Sequence, residues 1–510
     1  MPARRRAAMG AGLLTLLSLA AALSSPTPSA ADGTAPDANR PWVLRSRTVQ
    51  ADPKEYAQLC ARQQDGAPAE RTVELFPDVQ VTAVADRVDV DEHGTATFTG
   101  HVADRPAERV YLTVTGACPR GRVAAGPAVD GLVTLGDRTY TLAPDPGQPG
   151  HVVITEQDPA QRPAPVEHEI KERFTEGRAM SPRRTPSSDP VVIDMVVGWT
   201  PGAAARVGGE AGMRSRVALA EATLNRAFAD SGIKASVDVV ATYAPEYAGG
   251  ERAAEVYRKL ADPRDRRLGA TAAALREKTA ADLVAMLVRV PRGTSSGQGS
   301  LPMPPSSATD REAYSVTDVD SVVDWYNFGH EVGHNLGLWH DRATLDAQAG
   351  GVDYTPYLTT PYSTGWVTPN RRFHTLMAYS SACGQPCAAV NRYSNTVQPW
   401  EGQPLGDARS DNARVARATA PIVAAYREPA TPRTRHALTL AVSPADGGTA
   451  APSAWGPYRP GGQVTVTAVP SPGHRFTGWV LDGTRHAHTR PTMAVTMDRA
   501  RTLTAVFEKA

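Results

Sequence analysis

The sequence predicts a multidomain chain: a β-rich N-terminal region, a mixed α/β domain built on a twisted sheet, and a small all-β C-terminal domain. Three observations lead there. The chain's 510 residues exceed what one hydrophobic core usually organises. The apolar periodicity changes character twice, from alternation of period 2 to strands interleaved with helical stretches, and back to alternation. Proline-rich polar stretches mark both changes, at 158–190 and 429–436.

The first thirty residues stand apart from all three. Arg4, Arg5 and Arg6 precede an apolar run from Ala11 to Leu23 and then Pro26-Thr27-Pro28-Ser29-Ala30-Ala31, the pattern of a signal peptide over residues 1–30. The run is shorter than the roughly 20 residues a bilayer crossing needs, and no later stretch is apolar enough to span. The chain is therefore expected to be secreted, without membrane insertion. Its four cysteines, Cys60, Cys118, Cys383 and Cys387, fit two disulfides in an oxidising compartment. Cys383-x-x-x-Cys387 has a rival reading as half of a metal site. With 54 basic and 53 acidic side chains the net charge is +1, which gives no field to steer the chain onto nucleic acid.

From Ala31 to about Arg184 the ordered stretches alternate as strands do: Arg87 to Val90, Thr95 to Phe98, Val110 to Val114, Leu132 to Leu135 and Thr139 to Leu142. The stretch from Asp158 to Pro190 then loses its apolar period, and Arg183-Arg184 offers an exposed protease site. Val191 to Trp199 is an apolar run suited to a buried strand. A helix is expected from about Met213 to Ser231, because Val217, Ala220, Leu224, Ala227 and Phe228 fall on one face. Val237 to Tyr243 and Asp282 to Val290 read as strands, and Glu251 to Leu260 and Ala270 to Lys278 as helices. After the second linker, Ala437 to Val442, Gln463 to Val469, His474 to Trp479, Met493 to Met497 and Thr502 to Phe507 read as strands.

The chemistry concentrates in HEVGHNLGLWHD, His330 to Asp341. On a helix, His330 and His334 lie one turn apart and face the same way, so two imidazoles can meet one ion. Gly337 can take a positive φ and end the helix sharply, letting His340 supply the third nitrogen. Phe328, Val332 and Leu336 lie on the opposite side and would bury it. Three neutral histidines leave the fourth position of one Zn2+ open, as in catalytic rather than structural sites. Glu331, beside His330, is placed to act as general base. Asp341 is a candidate to orient a ligand. The remaining histidines, including His374, His486 and His488, lack partners in any ligand register and read as structural or solvated.

This extended motif resembles the metzincin zinc metallopeptidases. The downstream Thr375-Leu376-Met377-Ala378-Tyr379 looks like their Met-turn, which implies that Met377 lies beneath the metal. RFHTLMAYSSACGQPCAAVNRYSN, ending at Asn395, is similar to the bacterial reprolysin-like branch, in which a Met-Ala-Tyr turn precedes a cysteine pair; here Tyr393-Ser394-Asn395-Thr396 departs from that branch's segment. Asp411-Asn412-Ala413-Arg414 and a helix to about Tyr426 match how that catalytic domain ends. Tyr379 stands where some relatives carry a tyrosine that binds zinc and swings away, acting on the transition state; packing is its other reading. GQVTVTAVPSPGHRFTGW, ending at Trp479, with the terminal TLTAVF, resembles an internalin B-repeat-like module.

The resemblance implies a β-rich propeptide, a metzincin domain with a mixed twisted sheet and an active-site helix, and a C-terminal β-repeat module. The corresponding boundaries are 1–30 signal peptide, 31–184 propeptide and linker, 185–428 catalytic domain, 429–436 linker and 437–510 module. It further implies hydrolysis of peptide bonds in protein or peptide substrates by a zymogen carrying one catalytic zinc; no residue indicates calcium. A substrate strand would lie along a sheet edge near Ala313 to Val316. Some metzincin propeptides silence the enzyme with a cysteine thiolate on the metal, a role open to Cys60 or Cys118; a Cys60–Cys118 disulfide is the competing expectation, since either residue alone leaves an odd thiol. An alternative of another class is a secreted protein that binds a cell surface or polysaccharide through its C-terminal module and keeps a non-catalytic zinc site. The intact Glu331 argues against it, because a structural site has no use for that carboxylate.

Overall fold

The computed structural model describes residues 40–61, 65–119, 126–162, 189–429, 432–486 and 490–510. The signal peptide expected over 1–30, the Arg183-Arg184 pair and His488 lie outside the described residues. Among the described residues no helix is long and apolar enough to cross a membrane.

The central sheet has five strands in the order Ala235–Tyr243, Val191–Trp199, Leu283–Val288, Tyr314–Asp318 and Gly297–Gly299. The first four run parallel and the last pairs antiparallel with Tyr314–Asp318. Parallel strands covered on both faces read as unbroken apolar runs, and Leu283–Val288 is buried at every position. Its alternate residues serve two cores. Leu283, Ala285 and Leu287 join Ile193, Met195 and Val197 against the helix Glu210–Asp230, the helix Asn327–Asn335 and the C-terminal helix Asn412–Val423. Val284, Met286 and Val288 face the helices Ala253–Ala261 and Gly269–Thr279 through Val256, Leu260, Leu268 and Ala272. The helix Glu210–Asp230 begins three residues before the expected start, with the positive-φ Gly209 as its N-cap.

One expectation is corrected here. The stretch near Ala313 to Val316 is not the edge: Tyr314–Asp318 is paired on both sides, and the short Gly297–Gly299 is the terminal strand. Glycine has low strand propensity, so nothing in Gly297-Gln298-Gly299 announces a strand.

The N-terminal region is an antiparallel sheet in the order Val43–Gln50, His151–Gln157, Arg138–Pro144, Ala128–Leu135, Arg105–Thr115, Ala96–Val102 and Val79–Val90, with Glu70–Phe76 on Val79–Val90. A disulfide between Cys60 and Cys118 ties the turn Ala57–Cys60 to the segment just beyond Arg105–Thr115. The thiolate switch is thereby excluded for this structure: both sulfurs are bonded to each other, and neither is available to a metal.

The C-terminal strands divide between two sheets. Leu438–Ser443, Arg501–Lys509, His474–Leu481 and Thr484–His486 form one. Gly448–Pro452, Gly462–Pro470 and Thr492–Met497 instead extend the N-terminal sheet, because Gly462–Pro470 also pairs with Val79–Val90.

Candidate active site

The helix Asn327–Asn335 is buried at all nine positions. Phe328, Val332 and Leu336 anchor it in the main core, which turns His330, Glu331 and His334 the other way. Gly337 has φ +79°, and a Cβ there would lie 2.8 Å from Pro305 Cδ and 2.9 Å from Thr359 Oγ1, so only glycine makes the turn that delivers His340.

The three imidazoles converge. His340 Nε2 lies 3.2 Å from His330 Nε2 and 3.0 Å from His334 Nε2. An ion held tetrahedrally at 2.0–2.1 Å by such nitrogens sets them roughly 3.3 Å apart, so the spacing suits one. Each ring's other nitrogen faces an acceptor: His330 Nδ1 donates to Leu376 O at 2.6 Å, His334 Nδ1 to Leu338 O at 2.8 Å, and His340 Nδ1 to Gln348 Oε1 at 3.0 Å. These bonds fix the tautomer that leaves Nε2 free for a metal. Burial, and next to it His340, pushes the His330 pKa down to about 3, keeping the ring neutral as a ligand must be.

Glu331 is the acidic side chain beside the three imidazoles. Burial pushes its carboxyl well above the usual carboxylate range, and Asn327 Nδ2, 3.4 Å from Oε1, opposes this only partly. Oε2 is buried with no hydrogen-bond partner among the described residues, an arrangement that costs free energy unless a cation or water is expected there. Three neutral imidazoles, an orphaned carboxylate oxygen and a dication fit together.

The edge strand lies directly against this carboxylate. A Cβ on Gly297 would stand 2.1 Å from Glu331 Oε1, and one on Gly299 would stand 2.6 Å from the Glu331 carbonyl. Any side chain at either position would strike the active-site helix.

Met377 is fully buried beneath that helix: a Cβ on Gly333, between the first two histidines, would come within 2.5 Å of its sulfur. Tyr379 is buried, its ring centroid 5.4 Å from that of His330 and 4.8 Å from that of His340. Cys383 and Cys387 form a disulfide just after this turn, not half of a metal site. His374 is buried, with Nδ1 donating to Thr375 O, in keeping with a structural role.

Asp341, next to His340, is buried. It caps the helix Arg342–Ala349, accepting from Thr344 N and Thr344 Oγ1, and it accepts Tyr379 N–H at 3.2 Å. That helix carries Gln348 back to His340. The sequence reading missed Gln348, Asn327 and the two edge glycines. A signal existed only for Gln348: Asp341 preceding a run of good helix formers is an N-cap signature.

Comparisons with known proteins agree with this geometry. Residues 189–410 match the metallo-peptidase family M12B reprolysin-like model, and residues 438–510 match the divergent InlB B-repeat domain. A peptidyl-Asp metalloendopeptidase of Xanthomonas campestris pv. campestris is 27% identical over 373 residues, covering 71% of this chain and 83% of that protein. One of Stenotrophomonas maltophilia is 25% identical over 363 residues, covering 68% and 81%. The chain carries a reprolysin-like M12B metallopeptidase domain followed by a divergent InlB B-repeat domain, and it is a metalloendopeptidase.

Proposed function

We propose that this chain is a secreted zinc endopeptidase made as a precursor, in which His330, His334 and His340 hold the ion and Glu331 is the general base. The observation that carries the reading is the convergence of three imidazoles, with His340 Nε2 3.2 Å from His330 Nε2 and 3.0 Å from His334 Nε2, beside a carboxylate whose Oε2 has no hydrogen-bond partner among the described residues. Bound there, zinc supplies Lewis acidity toward the scissile carbonyl and toward water. Glu331 takes the proton of the attacking water at its unpartnered oxygen and later hands it to the leaving amine. Met377 supports the histidines from below. Tyr379, tilted against His330 and edge-on to His340, is assigned to packing against these ligands or to the transition state.

Substrate is proposed to add as a strand to Gly297–Gly299, whose bare glycines bring its main chain close to Glu331. Export is supported by two disulfides, which persist in oxidising compartments. Residues 31–184, 185–428 and 437–510 are proposed as propeptide with linker, catalytic domain and β-repeat module. The surface-binding alternative is disfavoured by the buried Glu331, which a purely structural zinc site would not retain.

Processed protein is expected to hydrolyse casein and to lose that activity with a metal chelator; activity untouched by the chelator contradicts the reading. The relatives' names suggest bonds beside aspartate, and cleavage profiling on a peptide library tests whether that extends to this chain. Gln348→Ala removes the acceptor of His340 Nδ1 and is expected to weaken zinc about 10–100-fold, read as the zinc dissociation constant in competition with a chromogenic chelator. Unchanged affinity would deny Gln348 its positioning role.

A further inference from the structure

We propose that the C-terminal domain is a clamp that keeps the N-terminal β-domain seated on the catalytic domain after the chain between them is cut. The proposal rests on the precursor reading only in that such a cut occurs.

The clamp grips the N-terminal domain through main chain. Gly462–Pro470 pairs with Val79–Val90, setting Gln463 against Val88 and Val464 against Arg87. Ser453 Oγ donates to Asp86 O at 2.6 Å and Thr465 Oγ1 to Ala85 O at 2.8 Å. At a second point Gly66 and Ala494 exchange both backbone hydrogen bonds, at 3.0 and 2.8 Å. Beside them Asp65 accepts from Thr496 N at 2.7 Å and pairs with Arg501 at 3.1 Å.

The same domain and its connector grip the catalytic sheet through charge. Strand register sets Asp194 directly opposite Asp238, both largely buried. Like charges facing each other across neighbouring strands destabilise a sheet. Three arginines neutralise them: Arg433 reaches Asp194 at 2.5 Å, Arg435 pairs with both, and Arg459 Nε donates to Asp238 at 2.6 Å. Arg459 also donates to Val239 O at 3.1 Å. Without the C-terminal segment the catalytic sheet would carry an uncompensated acidic pair.

The third side of the triangle is the contact between the N-terminal and catalytic domains. Tyr111 and Leu132 are buried in the main catalytic core. Thr113 Oγ1 donates to Ser215 O at 2.8 Å, and Ser215 Oγ to Ala128 O at 2.8 Å. Asp86 joins all three domains, its side chain on Arg226 at 3.1 Å and its carbonyl on Ser453. A domain held by two others leaves only when both interfaces open together, so each raises the effective concentration of the other.

The test uses the full chain with a site-specific protease sequence inserted within 163–188 and a tag at the C-terminus for immobilisation. After the cut, a labelled N-terminal fragment is expected to stay bound through extended washing. Asp65→Ala with Ser453→Ala removes contacts at the N-terminal grip, and Asp194→Asn with Asp238→Asn removes the charges gripped on the catalytic sheet. Each pair of substitutions is expected to speed release by about tenfold or more, because hydrogen bonds to charged groups are lost at that grip. Release of the unmodified fragment in the first wash, or equal release rates in both variants and the parent, would overturn the clamp. Because the cut is imposed, finding no natural cleavage would count against the precursor reading alone.

Discussion

Glu331→Gln is expected to lower kcat on casein by roughly 10²–10⁴-fold while leaving the bound metal in place. The substitution keeps the shape of the side chain and the contact with Asn327 Nδ2, but an amide cannot accept a proton at the position of Oε2. None of the three histidines depends on this carboxylate for its tautomer, since their Nδ1 atoms donate to Leu376 O, Leu338 O and Gln348 Oε1. Metal content and activity should therefore separate. A variant that hydrolyses casein at the parental rate removes Glu331 from the mechanism. A variant that loses metal in step with activity assigns it to the ligand set instead.

Asp130→Ala is expected to destabilise the uncut chain by about 3–5 kcal/mol, the usual result of leaving one member of a buried ion pair alone. Asp130 and Arg216 are buried to the same degree, with side-chain exposures of 0% and 4%. Arg216 is held on two sides, by Asp130 and by the carbonyl of Val319. Burial pushes the Asp130 carboxyl above its ordinary range while Arg216 pulls it back. Chemical denaturation of the uncut chain measures the loss. Replacing both partners with apolar residues of similar volume should recover much of it, because no unpaired charge then remains. A loss below about 1 kcal/mol for Asp130→Ala would mean that water reaches Arg216, and that this interface is looser than the packing of Tyr111 and Leu132 implies.

Much of the catalytic domain was legible because its signals are local. Val191–Trp199 coincides with the expected strand, since a parallel strand covered on both faces must be apolar throughout. The histidine spacing specified the convergence of three rings, and Gly337 has the positive φ expected of it. Where pairing is non-local the sequence is silent. Val43–Gln50 carries two arginines on partly exposed positions and shows no apolar period, yet it closes the N-terminal sheet against His151–Gln157. Nothing in Gly462–Pro470 tells that a third partner, besides Gly448–Pro452 and Thr492–Met497, lies about 375 residues earlier in the chain, at Arg87 and Val88. Gly297–Gly299 escaped for the opposite reason: the absence of side chains, which hides a strand from propensity, is what lets it lie against Glu331. Gln348 escaped because orienting a ligand leaves no residue pattern beyond the helix that carries it.

Metal analysis of the purified, processed protein tests the central claim most directly. One zinc per chain is expected, removed by a chelator together with the casein activity and restored with it on adding zinc back, and absent from His334→Ala. Full activity in protein carrying no stoichiometric metal, or undiminished zinc in His334→Ala, would contradict a site built from His330, His334 and His340.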